Sequence, residues 1–387
     1  MATLAFLIFI AVLGVGIVIP VLPIYATEFG ATGLEVGIVF SILSLSRLIG
    51  VIFVGSVADR YGKKKFIVFG LLIYLLSSVL YVYAKTLLDL IGIRLLQGLG
   101  SSMIVPLAMA YIGEMSPVGK EGLYMGIANT AFFLGLSGGP FISGLLVKKW
   151  GINAAFWGMT SFTAIALVLA MFFVPSSNNS FTKSKDMDLL AILKLIFREK
   201  TYFSLCFIGF AMDISRAILM TFFPLIAHLK GIEYDEIGII VGIFLGVTAL
   251  VQGPLGRLTD KFSKKKIILI ANILYSILMF LVPYFNSYHV LLFVMLIIGI
   301  TAGAAYPALA AIMTELGRNK GMAKTMSLLQ IANSAGMFVG PIISGKAQDL
   351  FGLSAPFVVS SIFIVLGIFL VLTTHELSYN KSHSSKA

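Results

Sequence analysis

Apolar runs of about 20 residues recur from one end of the chain to the other, separated by short polar breaks. Twelve are read, centred near residues 14, 46, 74, 100, 134, 163, 214, 247, 276, 302, 334 and 363. A run of that length crosses a bilayer as a helix, because a helix satisfies its own backbone where there is no water. Gly and Pro inside several runs do not disturb this, since membrane helices tolerate both. The pattern predicts an all-α membrane protein of twelve transmembrane helices, numbered here as spans 1 to 12. The opening "MATLAFLIFIAVLGVGIVIPVLPIY" has no basic n-region and no clear cleavage site, so it is read as span 1 and not as a removed signal.

The polar breaks alternate in charge. Basic residues gather between spans 2 and 3 (Arg60, Lys63, Lys64, Lys65), 6 and 7 (Lys183, Lys185, Lys194, Arg198, Lys200), 8 and 9 (Arg257, Lys261, Lys264, Lys265, Lys266), and 10 and 11 (Arg318, Lys320, Lys324). The opposite loops are poorer in Lys and Arg and hold Glu28, Glu35, Glu233 and Asp235. By the positive-inside rule both termini are expected in the cytoplasm. A net charge of +11 is thus a matter of topology and implies no nucleic-acid partner. Only 12% of residues are charged and mean hydropathy is +1.01, against about 25% charged in soluble domains, which excludes a soluble profile. The lone Cys206 precludes an intramolecular disulfide.

The break "GSVADRYGKKK" (Gly55 to Lys65) returns as "GRLTDKFSKKK" (Gly256 to Lys266), a shift of 201 residues. The same shift pairs Pro23 with Pro224, Glu35 with Glu236, Gly37 with Gly238, Pro106 with Pro307 and Glu114 with Glu315. It also pairs Gly135, Gly139, Pro140, Ser143, Gly144 and Gly151 with Gly336, Gly340, Pro341, Ser344, Gly345 and Gly352. One ungapped shift over this length marks a six-span unit used twice. Six is even, so the copies share one orientation, as in transporters built from parallel repeats with a midplane site. The expected organisation is a bundle at 1–175, a cytoplasmic linker at 176–200, a second bundle at 201–375 and a cytoplasmic tail at 376–387. The linker opens on polar "VPSSNNSFTKSKDMD" and continues as "LLAILKLIFREK", an amphipathic segment suited to a membrane surface.

These motifs resemble the major facilitator superfamily over essentially the whole chain. "GSVADRYGKKK" is similar to that family's signature between spans 2 and 3, with Val57 and Lys63 as departures. "RLLQGLGSS" (Arg94 to Ser102) resembles its span 4 signature. "GLSGGPFISG" (Gly135 to Gly144) resembles the span 5 signature of the drug/proton antiporter branch. The resemblance implies a monomeric secondary transporter in an inner cell membrane, exporting small amphiphilic compounds against protons by alternating access. It needs no cofactor beyond the proton gradient. A facilitator or symporter of a sugar, metabolite or lipid is the alternative of the same fold. The resemblance also implies a gating role for Gly55, Asp59, Arg60, Gly62 and Lys63, with Gly256, Asp260 and Lys261 in the second copy. Carboxylates at Asp59 and Asp260 would sit at the positive end of a neighbouring helix, while the lysines are read mainly as topology markers. Ser263 in place of a second Gly62 suggests two latches of unequal strength.

Pro140 and Pro341 are expected to bend spans 5 and 11, and the glycines around them to admit a close helix. "GLSGG" also fits a serine-hydrolase pattern, but that elbow needs a strand-to-helix turn and a base. The histidines (His228, His289, His375, His383) lie near span ends or in the tail, and Ser137 becomes Phe338 in the second copy. An enzyme is not expected.

Charge at membrane depth is expensive and points to function. Arg47 is mid-span 2, Arg94 lies in the outer third of span 4, and Asp213 and Arg216 are mid-span 7. Their counterparts are Thr248, Met295, Val12 and Val15, so the repeat does not preserve them. Asp213 and Arg216 stand one turn apart and can pair. Asp213 is the candidate proton-titrating group, tuned by Arg216 or Arg47, with a purely structural ion pair as the competing role. Arg94 matches the span 4 arginine that the family couples to protons, yet span 1 lacks the acid that many antiporters carry there. Candidates for the substrate cavity are Asn129, Gln252, Gln330 and Asn333, with Phe132, Phe133, Phe222 and Tyr306 as apolar wall. Asn178 and Asn380 lie in sequons on the expected cytoplasmic side, where glycosylation does not occur. No metal-ligand cluster and no Gly-rich phosphate loop is read.

Overall fold

The computed structural model describes residues 1–117, 120–175 and 199–374. Within them the side chains at 55, 56, 59, 121, 122, 257–261, 319, 320 and 322–324 lie outside the description. The gating positions Gly55, Asp59, Asp260 and Lys261 fall among these, as do the linker segment up to residue 198, both sequons, His375 and His383.

Among the described residues twelve helices are long and apolar enough to cross a membrane. Span 1 is Ala2–Val18 continued by Leu22–Glu28, and the next are span 2 Gly33–Tyr61 and span 3 Lys63–Tyr83. Span 4 is Leu87–Met115, span 5 Glu121–Trp150 and span 6 Ile152–Phe173. The second set is span 7 Lys200–Leu229, span 8 Tyr234–Lys261, span 9 Lys264–Leu281 with a 3₁₀ turn, and span 10 Tyr288–Lys320. Span 11 is Met322–Phe351 and span 12 Ala355–Leu372. Large apolar side chains stay exposed on the outer helix faces, Phe53 at 68% and Phe172 at 75% among them. Water would not tolerate such a surface over a whole chain, whereas lipid tails cover it without cost.

Local chemistry sets the helix ends. Thr32 accepts from the Glu35 backbone N–H while the Glu35 carboxylate accepts from Thr32, a reciprocal cap at the start of span 2. In the second copy the Glu236 carboxylate accepts from the Glu233 N–H, which explains why the shift preserves that glutamate. The turns at Gly30 and Gly231, and at Gly151 and Gly352, all adopt φ between 76° and 88°, which favours glycine.

Packing divides the described residues into two compact units. One comprises those of Met1–Lys185 together with Met220–Gly246; the other comprises those of Asp186–Leu219 and Val247–Ala387. The division by packing thus differs from the division by repeat, because the end of span 7 and the first half of span 8 associate with the first copy. Inside the first unit span 1 packs on spans 5 and 6, span 4 on spans 2, 3 and 5, and span 6 on spans 3 and 5. Inside the second unit span 10 packs on spans 9 and 11, and span 12 on the same two.

The glycine-rich helices explain the closest crossings. A Cβ on Gly135 would meet the Phe9 carbonyl oxygen at 2.5 Å, and one on Gly139 would meet Gly16 Cα at 2.5 Å. In the second unit Gly336 faces the Phe210 carbonyl and the Ile214 N–H, and Gly340 faces Ile214 Cα at 3.0 Å. Phe210 and Ile214 are the counterparts of Phe9 and Leu13, so both copies build the crossing from the same positions. Pro140 and Pro341 lie within unbroken helices. Gly144 closes a further contact, on Tyr234 and Asp235 at the start of span 8.

Candidate functional site

In the second unit, span 7 carries Asp213 and Arg216 three residues apart, and the Arg216 guanidinium pairs with the Asp213 carboxylate. The Asp213 side chain is fully buried, while Arg216 keeps 36% of its side-chain surface. Arg216 also lies over the Tyr306 ring of span 10 at 5.5 Å. Both Asp213 oxygens and the Tyr306 hydroxyl are buried, and none has a hydrogen bond of regular geometry. A carboxylate held in this way relies on the ion pair and on the adjacent Tyr306 hydroxyl for compensation, because burial removes the water that would otherwise solvate it. Tyr306, read from sequence as cavity wall, therefore belongs to the ion pair's surroundings. The close Phe210 and Ile214 backbone contacts of Gly336, whose Cβ would also stand 3.2 Å from Asp213 Cβ, press span 11 against this turn.

The first unit places a different polar group within its own helices. Arg94 on span 4 is 5% exposed and donates from Nη1 to Gln97 Oε1 at 2.9 Å. The Tyr81 hydroxyl of span 3 donates to the same oxygen at 2.7 Å, and Gln97 Nε2 finds the Met159 sulfur at 3.8 Å. The Arg94 guanidinium sits over the Phe40 ring of span 2 at 5.0 Å. Tyr74 on span 3 is reached electrostatically by Arg94 and by Arg47, which is half-buried on span 2. Gln97, Tyr81, Tyr74 and Phe40 were not among the sequence candidates. Gln97 could have been found one turn after Arg94 in "RLLQ", and Tyr74 by its repeat as Tyr275.

Other candidates are dispersed. Asn129 on span 5 and Gln330 on span 11 are exposed; Phe132, Phe133, Gln252 and Asn333 are half-buried; Phe222 is packed at 1% exposure. Phe132 and Phe133 meet edge to face, and Asn333 Oδ1 is buried without a hydrogen bond beside Gly209. Ser137 lies mid-helix with its hydroxyl donating to the Leu134 carbonyl, which is a packing role. Among the described residues no group of three His, Cys, Asp or Glu side chains is placed to hold a metal ion.

At the basic loops two of the lysines read mainly as topology markers also form ion pairs. Lys63 pairs with Glu114 at 2.6 Å and Lys264 with Glu315 at 2.7 Å. Each ties the start of the third helix of a copy to the end of the fourth, and Lys63 is 8% exposed. Gly62, ahead of Lys63, turns through φ 96°, whereas Ser263 is extended at φ −62°. Arg60 is exposed and lies near the Tyr61 ring. Gly256 stands 3.8 Å, as a built Cβ, from Pro307. At the far ends of spans 5 and 8, Lys148 is bracketed by Glu233 at 2.6 Å and Asp235 at 2.9 Å.

Known proteins share this arrangement of helices. The family model described as Major Facilitator Superfamily matches residues 4–212 and again 205–386. An uncharacterised MFS-type transporter of Methanocaldococcus jannaschii is 30% identical over 360 residues, covering 92% of each chain. Multidrug resistance protein 2 of Bacillus subtilis is 27% identical over 382 residues, 95% of this chain and 93% of that one. A homologue of the multi-drug resistance efflux pump PmrA in Lactococcus lactis is 26% identical over 356 residues, 90% and 87% respectively. In fold, the nucleoside transporter NupG matches with a TM-score of 0.82 at 14% identity, covering 96% of this chain and 98% of that one. A bacterial homologue of the human lysosomal transporter Spinster, inward-facing and unoccupied, gives 0.80 at 15%, covering 96% and 95%.

Proposed function

This chain belongs to the Major Facilitator Superfamily, a multi-pass membrane transporter and not an enzyme, and from that premise we propose that it exports small amphiphilic compounds in exchange for protons. The observation that carries the proposal is Asp213: an acid buried at membrane depth, held by one arginine, and absent from the equivalent position in the other copy. Structural duty would be expected in both copies, while a group that must gain and lose a proton once per cycle is needed only once. Protonation of Asp213 would release Arg216, and the pair would remake when the proton leaves. That is a charge change able to bias two conformations of an alternating-access cycle. The relatives described as a multi-drug resistance efflux pump homologue and as a multidrug resistance protein support export, and the proton gradient is proposed as the driving force with no cofactor.

Asp213→Asn tests this in proteoliposomes carrying a pH-sensitive dye, with a panel of fluorescent amphiphiles as cargo. Gradient-driven flux is expected to fall to background while exchange without a gradient persists, showing that the variant is folded. Undiminished gradient-driven flux in the variant overturns the assignment. Flux that ignores a collapsed gradient in the unaltered protein favours a facilitator of the same fold.

A further inference from the structure

We infer that the cluster around Arg94 is an anion-binding site, and that the cargo carries a compact anionic group, a carboxylate, phosphate or sulfate, on an apolar body. The cluster has more hydrogen-bond donors than acceptors. Arg94 Nη1 and the Tyr81 hydroxyl both donate to one oxygen, Gln97 Oε1. Gln97 Nε2 has the Met159 thioether as an acceptor at 3.8 Å, and the Gln97 side chain also meets the Tyr74 hydroxyl. Arg94 Nε is buried with no acceptor at all. A guanidinium presents five donors and cannot lose its charge, so a buried one is costly until oxygens surround it.

Among the described residues no carboxylate supplies them, and none pairs with Arg94. Asp89, the nearest acid on the same span, accepts from the backbone N–H groups of Lys85 and Thr86 instead. Phe40 offers a ring face, which eases the charge without satisfying the N–H groups. Phe40 and Arg47, both on span 2, keep part of their surfaces accessible, and Arg47 adds a second positive charge near Tyr74. A cationic drug would meet repulsion here, and the buried acid of span 7 is already engaged by Arg216. An anion would meet unspent donors and a favourable field.

The inference rests on the transporter reading only in calling the anion cargo; the site itself is tested at equilibrium, without a gradient. The chain is placed in nanodiscs of neutral phosphatidylcholine and titrated by calorimetry with octyl sulfate and with octyltrimethylammonium. Octyl sulfate is expected to bind at least about tenfold tighter, since hydrogen bonds to charged groups are the stronger ones. Arg94→Gln is expected to weaken octyl sulfate by about ten- to hundredfold and leave the cation unchanged. Arg94→Lys, which keeps the charge, retains the preference and covers the case in which the Gln variant fails to fold. Adding phosphatidylglycerol to the discs separates two sources of the same chemistry: competition with octyl sulfate makes the natural occupant a lipid headgroup, and no competition makes it a soluble anion. Equal affinity for the two probes, or an Arg94→Gln variant that keeps the anion preference, overturns the site. A negative Asp213→Asn result would leave this equilibrium outcome standing.

Discussion

The two copies of the six-span unit agree at their helix contacts and disagree at membrane depth. Span 5 crosses span 1 through Gly135 on Phe9 and Leu13; span 11 crosses span 7 through Gly336 on Phe210 and Ile214, the same positions under the shift. Lys63–Glu114 and Lys264–Glu315 are likewise one ion pair made twice. The charges inside the spans follow no such rule. Arg94, Gln97 and Tyr81 have Met295, Ile298 and Val282 as counterparts, and Asp213 and Arg216 face Val12 and Val15. Features that build the fold are kept in duplicate because each copy must solve the same packing problem. A buried charge solves none, and on the proposed function its presence in one copy marks the place where the copies take different tasks.

The sharpest way to break this comparison is to give span 7 what span 1 carries. Arg216→Val alone strands Asp213 in an apolar interior and is expected to cost about 3 kcal/mol, the lower end of the range for a broken buried pair because Arg216 is partly accessible. Asp213→Val with Arg216→Val removes both charges and is expected to return within about 1 kcal/mol of the parent, with proton coupling lost. Thermal unfolding in detergent checks both. A double variant no more stable than the single would show the pair to be structural, and the copies' difference would lose its functional meaning.

A smaller effect is expected at the duplicated crossing. Gly139→Ala drives a methyl to 2.5 Å from Gly16 Cα, where backbone leaves no room to yield, and is expected to cost about 2–3 kcal/mol. Gly340→Ala meets Ile214 Cα at 3.0 Å and is expected to cost less, about 1 kcal/mol. If unfolding midpoints show the second variant equal or worse, the two crossings are not tuned by distance as the structure indicates.

The smallest effect concerns the basic loops. Gly62→Ala must hold an L side chain at φ 96° and is expected to cost about 1 kcal/mol, whereas Ser263→Gly loosens an extended residue by about 0.5 kcal/mol. Equal stability loss in the two, measured by denaturant titration, would remove the inequality between the loops.

Much of this was legible from sequence because the physics is local or periodic. A run of apolar residues must become a helix in lipid wherever it lies, so all twelve spans stand where the hydropathy pattern puts them. Asp213 and Arg216 were legible as a pair because three residues bring side chains to one helix face. Lys63 and Glu114 were each visible as repeated residues, but their pairing joins positions 51 apart and required the helices to be packed. The same holds for Arg94, where the neighbouring Gln97 was within the quoted motif while Tyr81, Phe40 and Met159 come from three other spans.

The sequence by itself determined the number of spans, the duplication and the positions of the costly charges, since hydropathy and helical spacing depend on neighbours along the chain. Tertiary structure decided which charges are neutralised: Arg216 answers Asp213, while Arg94, among the described residues, has no carboxylate partner and shares the Gln97 oxygen beside the Phe40 ring. It also decided that Met220–Gly246 packs with the first copy despite belonging by repeat to the second. Both outcomes follow from contacts between helices far apart in the chain, where burial and partner, not residue type, set the energy of a charge.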